Sequence, residues 1–149
     1  MDKVQKPVLV HSVTASADLL VIHRFVKIAS GLLALCGANE KAIGVLYEKA
    51  GSGEQAPVIV SGIAVVEVGS GGITENCQIT SDATGKVIAV AALTVATTYP
   101  TASTAPMKSD VEHAAMTSVV SGGLLPIKIN GLALETVAAG GFAKILLSA

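Results

Sequence analysis

From Ala42 to Val90 the chain reads AIGVLYEKAGSGEQAPVIVSGIAVVEVGSGGITENCQITSDATGKVIAV, and this stretch limits the possible folds more than any other. It contains three runs rich in β-branched residues: Pro57-Val58-Ile59-Val60, Ile63 to Val68, and Lys86 to Val90. Gly51-Ser52-Gly53, Ser61-Gly62, Gly69-Ser70-Gly71-Gly72 and Asp82-Ala83-Thr84-Gly85 punctuate them. Val and Ile lose χ1 freedom in a helix, and the glycines weaken one further. Short β-prone runs separated by residues that tolerate positive φ predict a compact antiparallel sheet.

The rest of the chain fits around that sheet. Residues 1–17 are mixed and polar, with Pro7 ahead of Val8-Leu9-Val10, and read as an extended arm or edge strand. Residues 18–149 then form a single β domain. Ser30-Gly31 separates the runs Phe25 to Ile28 and Leu32 to Leu35 and signals a hairpin, with a helix as the alternative over 18–28. An internal echo follows. Gly44-Val45-Leu46-Tyr47-Glu48, then Gly53 and an apolar run, matches Gly131-Leu132-Ala133-Leu134-Glu135, then Gly140 and an apolar run. Glycines permit sharp bends, so the two segments read as equivalent corners of one barrel, with chance recurrence of glycine turns as the alternative. Residues 91–126 break the rhythm. Pro100 and Pro106 prevent a regular element from running through Ala91 to Ala105, and Asp110 to Val120 reads as a short helix capped by Ser109 or Asp110. The segment is expected to be a long loop or short-helix excursion. Phe142 to Leu147 closes the chain as a strand.

Composition bears on partners. Hydrophobic residues make up 51% of the chain and charged ones 14%, against about 25% charged in an average domain. So few charges cannot cover a monomer of this size, and the sequence implies that part of the surface is buried against other chains. A membrane does not supply that cover: the apolar run Val87 to Ala96 falls short of the ~20 residues of a spanning helix. Asp2 and Pro7 stand where a signal peptide needs a basic and then an apolar region, so none is expected. A net charge of −1 offers no general attraction to nucleic acid. Cys36 and Cys77 read as two buried thiols, and the sequence leaves a bridge between them open.

Catalytic patterns are weak. Gly51-Ser52-Gly53-Glu54-Gln55-Ala56 matches a dinucleotide fingerprint, but Pro57 and a Val-rich run follow where a helix is required, so it reads as a turn. His11, His23 and His113 have no neighbouring ligands at metal spacing. Asp110 and His113 would need a third partner, such as a serine, for catalysis. Met107-Lys108 lacks the flanking strands of a lysine-modified carrier hairpin. No enzyme activity, cofactor, metal or small-molecule substrate is expected.

The segments RFVKIASGLLAL (24–35), AIGVLYEKAGSGEQAPVIVSGIAVVEVGSGGIT (42–74), SDATGK (81–86) and NGLALETVAAGGFAKILL (130–147) resemble the tailed-bacteriophage head decoration, or capsid cement, proteins. The chain departs from that pattern at Glu75-Asn76, where family members often carry Gly-Asp, and over 91–126. The resemblance implies an all-β barrel or sandwich assembling as a homotrimer on the outside of the virion capsid, near three-fold and quasi-three-fold junctions. Its partners would be the major capsid protein and itself, with assembly in the host cytoplasm and no catalytic role. Within the arm, Val4, Lys6, Val8 and Val10 are the expected capsid contacts, because an extended segment can add a strand to a neighbouring sheet. The rival expectation is a particle-displayed β module that recognises a host or carbohydrate through 91–126, where Tyr99 is the only aromatic residue.

Overall fold

The computed structural model describes residues 4–91, 94–98, 117–121 and 128–147. Every regular element among them is a β-strand: β1 (Lys6–Thr14), β2 (Phe25–Ala29), β3 (Leu32–Leu35), β4 (Gly44–Leu46), β5 (Gln55–Glu67), β6 (Gln78–Ser81), β7 (Val87–Ala89), β8 (Thr94–Thr98), β9 (Thr117–Ser121), β10 (Gly131–Ala133) and β11 (Phe142–Leu147). All strand pairs are antiparallel. The chain divides into two compact units, residues 91–123 and the remainder. The smaller unit contains the β8–β9 ladder, Thr94 opposite Ser121 through Thr98 opposite Thr117.

The larger unit is a sheet in the order β3-β2-β4-β5-β11-β10-β6-β7, with β1 paired to β5. That order reads as two similar halves. Val45 pairs with Ile59 and Leu46 with Val58; Leu132 pairs with Leu146 and Ala133 with Ile145. On the other side Val26 meets Gly44, as Ile79 meets Gly131. The correspondence extends beyond the strands. His23 N–H donates to Leu46 O (3.2 Å) and Asn76 N–H to Ala133 O (2.9 Å), both from the left-handed region, at φ 62 and 63. Leu19 bridges Ala50 as Ile73 bridges Val137. Gly53 N–H donates to Ala15 O and Gly140 N–H to Val68 O, both at 2.9 Å. The larger unit is therefore an internal repeat over residues 10–60 and 63–147, with the smaller unit inserted in the second copy.

Each repeat curls until a parallel bridge closes it: Ala15 to Leu33 in the first, Val68 to Val87 in the second. The first encloses Leu19, Val26, Leu33, Leu46 and Val58. Their counterparts Ile73, Ile79, Val87, Ala133 and Ile145 belong to the second cluster, which also takes in Phe25, Val45 and Ile59 from the first repeat. Strand alternation explains this division. Val26, Leu46 and Val58 point into their own repeat, while their neighbours Phe25, Val45 and Ile59 point out of it and into the second.

Several expectations need correction. The echo segments do not form corners of one barrel; each lies in its own closed circuit. Ser61-Gly62 does not turn the chain, because β5 continues through it for thirteen residues. The favoured two-residue hairpin turns need positive φ at the first central residue or at both, and here only the second, Gly62, has it (φ 104). Ser30 (φ 52) and Gly31 (φ 80) meet that condition and join β2 to β3. The helical alternative for 18–28 fails, since Phe25–Ala29 is a strand. The helix expected over Asp110 to Val120 fails at its C-terminal end: Thr117–Ser121 is strand β9, as suits its β-branched Thr117, Val119 and Val120. Residues 110–116 lie outside the described residues.

Candidate interaction surface

Strand β1 carries Lys6, Val8 and Val10 of the four residues singled out in the arm, and Val4 lies just ahead of it. It runs along β5 from Lys6 opposite Ile63 to Thr14 opposite Gln55. Val58 and Ile59 pair with β1 and also with β4, while Gly62 and Ile63 pair with β1 and also with β11. One edge of β5 thus belongs to β1 and the other is shared by β4 and β11. The β1–β5 register slips around Leu9, leaving Val8 and Val60 out of the ladder. The backbones are close at this point. A Cβ on Gly62 would lie 2.6 Å from Lys6 O and 2.7 Å from Val8 N, so only glycine fits. Gln5 reinforces the approach, its Oε1 accepting from Val65 N–H at 3.3 Å.

The outward side of β1 is open. Val4 is 65% exposed, Val8 81%, Leu9 54% and Val10 43%, and Lys6 is exposed. Successive strand residues face opposite ways, so three consecutive exposed apolar residues mean that both faces meet solvent. Among the described residues β1 pairs with no strand but β5. Lys6 and Pro7 partly blunt this edge, a charge and a missing N–H being usual protections for edge strands. The structure brings Lys6, Val8 and Val10 onto one strand built into the sheet, with Val4 two residues ahead of it. Leu9, which the sequence reading passed over, belongs with them.

Two clusters of charged groups brace the fold. Glu67 accepts from Arg24 Nη2 at 2.6 Å and Lys86 Nζ at 2.8 Å, and Arg24 Nη1 also donates to Thr84 O. The bond from Lys86 leads in holding the Glu67 carboxyl below its usual range, against the opposing effect of burial. Glu40 is lowered likewise, by Lys27 Nζ at 2.6 Å and then by the Gly37 N–H. The Glu67 cluster joins the two repeats, since Arg24 lies in the first and Glu67 and Lys86 in the second, whereas the Glu40 pair lies within the first. His23 adds another, its Nδ1 donating to Val65 O at 3.0 Å and its ring edge-on to Phe142 at 5.5 Å.

Cys36 and Cys77 are both free, and burial pushes the Cys36 thiol up to about 12, which suits an inert core residue. Among the described residues no three His, Cys, Asp or Glu side chains converge as a metal site, and no helix is long and apolar enough to cross a membrane. Met107, Lys108, Asp110 and His113 lie outside the described residues.

No protein-family model matches the chain. No curated protein matches it in sequence. Among solved structures it is similar to the N base of the head fiber gp8.5 of bacteriophage phi29, with a TM-score of 0.56 and 14% identity over 94% of this chain and 93% of that one. At that identity the likeness establishes a shared all-β fold.

Proposed function

We propose that this protein is a structural component of a phage head, a cement protein that binds the outer capsid surface as a homotrimer and stabilises the shell. The observation that carries this reading is the fold shared over nearly the whole chain with the base of a phage head fiber. The resemblance of residues 24–35, 42–74, 81–86 and 130–147 to capsid cement proteins supports it independently. The major capsid protein is the proposed partner, at three-fold and quasi-three-fold junctions, and the virion is the proposed location after assembly in the host cytoplasm. The chain works by adhesion and has no catalytic task.

Strand β1 is the proposed contact. Its open edge and exposed Val8, Leu9 and Val10, with Val4 just ahead of it, suit strand addition, in which main-chain hydrogen bonds supply affinity and alternate side chains fill pockets. Three such contacts on a trimer act at high effective concentration, so individually weak attachments hold. Because β1 is also part of the fold, the test is a surface change and not a deletion. Val4→Glu with Val8→Glu is expected to weaken binding to expanded, undecorated capsids by about tenfold or more while leaving thermal unfolding unchanged. Unchanged binding removes β1 from the account, and a wild-type protein that ignores capsids overturns the reading.

One observation favours a second reading, a particle-displayed module for host or carbohydrate recognition. Residues 91–123 form a compact unit of their own, inserted in the sequence of the second repeat, as a separate recognition element would be. Glycan binding that disappears on replacing 97–110 would support it.

A further inference from the structure

The internal repeat exposes one contact that is satisfied within the chain and left open at both ends. Phe25, Val45 and Ile59, each fully buried, leave the outer face of the first repeat and fill the interior of the second. Their counterparts on the outer face of the second repeat are Gln78, Leu132 and Leu146, and among the described residues these enter neither core. Leu146 is 43% exposed, Gln78 is exposed and Leu132 half-buried. Together with Ile129, 38% exposed, they border a groove of about 410 Å3.

The receiving side shows the complementary vacancy. Where the second repeat takes in the first, Val66, Ser81, Asn130 and Leu147 are all buried. Their counterparts in the first repeat are Val13, Ile28, Ile43 and Val60. Val13, Ile43 and Val60 are half-buried at the rim of the first core, and Ile28 is 49% exposed. Two of the four counterpart pairs carry apolar side chains in both repeats, and at the other two Ile28 and Ile43 take the places of Ser81 and Asn130, so the rim of the first repeat is the more apolar of the two. Among the described residues, the first repeat therefore keeps an apolar rim that is covered less deeply than its counterpart in the second.

We infer that the second repeat of one copy docks on the first repeat of another, reproducing between chains the junction that joins the repeats within one. Leu132 and Leu146 take the parts of Val45 and Ile59; Ile28 and Val60 lie on the receiving rim. The contact is heterologous, one face meeting a different face, so it generates a ring or an open filament. In a closed ring of three copies every repeat meets the next in the same way, and the bonds within chains alternate with those between chains. The inference concerns the free protein and does not depend on capsid binding, although it gives the proposed homotrimer its interface.

The test uses the whole protein and two substitutions at exposed positions, Leu146→Glu on the donor face and Ile28→Glu on the receiving rim. Sedimentation over a range of concentrations reads the oligomeric state, and circular dichroism checks the fold. Each variant is expected to lose self-association by roughly 30-fold or more, the effect of an interface hot spot. Leu20→Glu, at a 61% exposed position that belongs to neither set of contact residues, is expected to assemble as the wild type does.

Mixing is the decisive step. The Leu146→Glu chain keeps its rim and the Ile28→Glu chain keeps its donor face, so an equimolar mixture is expected to form a one-to-one dimer and nothing larger. A monomeric wild type overturns the inference. So do folded variants that assemble normally, or a mixture that stays monomeric. A trimer insensitive to both substitutions overturns this junction and leaves the capsid reading standing.

Discussion

The two repeats have the same backbone and different duties. Their ladders agree pair for pair, Val45–Ile59 with Leu132–Leu146 and Val26–Gly44 with Ile79–Gly131, yet few of these positions keep the same residue. Side chains that point inward changed size and stayed apolar: Val26 against Ile79, Leu33 against Val87, Val58 against Ile145. Outward ones diverged according to what covers them. Phe25 is fully buried beneath the second repeat, while its counterpart Gln78 faces solvent. The comparison teaches that pairing geometry is specified by a few backbone-level requirements, while the side chains between them are free to take on different contacts.

Glycines 44 and 131 are the strongest of those requirements, and replacing them is the most severe way to break the comparison. A Cβ on Gly44 would overlap the Ile59 carbonyl oxygen, and one on Gly131 would overlap the Leu146 carbonyl oxygen. In each case the obstacle is the backbone of the paired strand, which cannot yield without opening the ladder. Gly44→Ala and Gly131→Ala are each expected to cost about 3 kcal/mol in denaturant unfolding. Gly53→Ala and Gly140→Ala supply a matched control. Both residues have positive φ (82 and 81) but open space around the missing Cβ, so each is expected to cost about 1 kcal/mol. Similar losses within each pair support the repeat; a tolerant Gly131→Ala would break it.

The same glycines explain how much could be read in advance. Gly44 and Gly131 begin the echo, and Gly53 and Gly140 end it, because backbone geometry demands a particular residue at those places. The turns at Ser30-Gly31 and at Asp82 to Gly85 were legible for the same reason: Asp82 Oδ1 accepts from the Thr84 and Lys86 N–H groups, a role few residues can fill. The rest of the repeat was not legible. Leu19 and Ile73, or Leu33 and Val87, are interchangeable apolar residues that any β core could use. The insertion after Val90 also hides the alignment, since the first repeat spans the corresponding gap between Cys36 and Ala42 with a short loop. Gly62 misled because a bulge and a turn both require positive φ.

The candidate surface was legible only in part. An apolar run beside Pro7 marks an exposed strand such as β1, but the slip at Val8 depends on Gly62, more than fifty residues away. Ile28, Leu132 and Leu146 look like ordinary strand residues. Which of them lack a cover depends on the way the repeats stack, and no local pattern encodes that.

Glu67 tests the tie between the repeats at intermediate strength. Glu67→Gln keeps the shape but leaves Arg24 and Lys86 without their anion in a site where the Arg24 and Glu67 side chains are only 13% and 18% exposed. The expected cost is about 2 kcal/mol near neutral pH. Because folding lowers the Glu67 pKa, its contribution is present above the unfolded carboxylate range of about 4.3 and is lost as pH falls through the lower folded value. The Gln variant has no such titration, so its deficit relative to wild type should shrink on acidification. Urea midpoints measured at neutral pH and near pH 3 check this, and a constant deficit would mean that packing and not charge holds the junction.

The smallest effect sharpens the comparison most finely. His23 and Asn76 occupy one repeat position and share a left-handed backbone, at φ 62 and 63, and the same kind of bond from N–H to the strand opposite. Asn tolerates that conformation, yet Gly tolerates it better, so Asn76→Gly is expected to change stability by no more than about 0.5 kcal/mol, in the stabilising direction. His23→Gly receives the same backbone relief but loses the bond to Val65 O and the edge-on contact with Phe142, both of which reach into the other repeat. It is expected to lose about 1 kcal/mol in the same urea assay. Opposite signs at two positions with identical backbone geometry would separate what the repeat imposes on each residue from what the junction asks of only one. Equal signs would mean that His23 is an ordinary turn residue and that the ties between the repeats lie elsewhere.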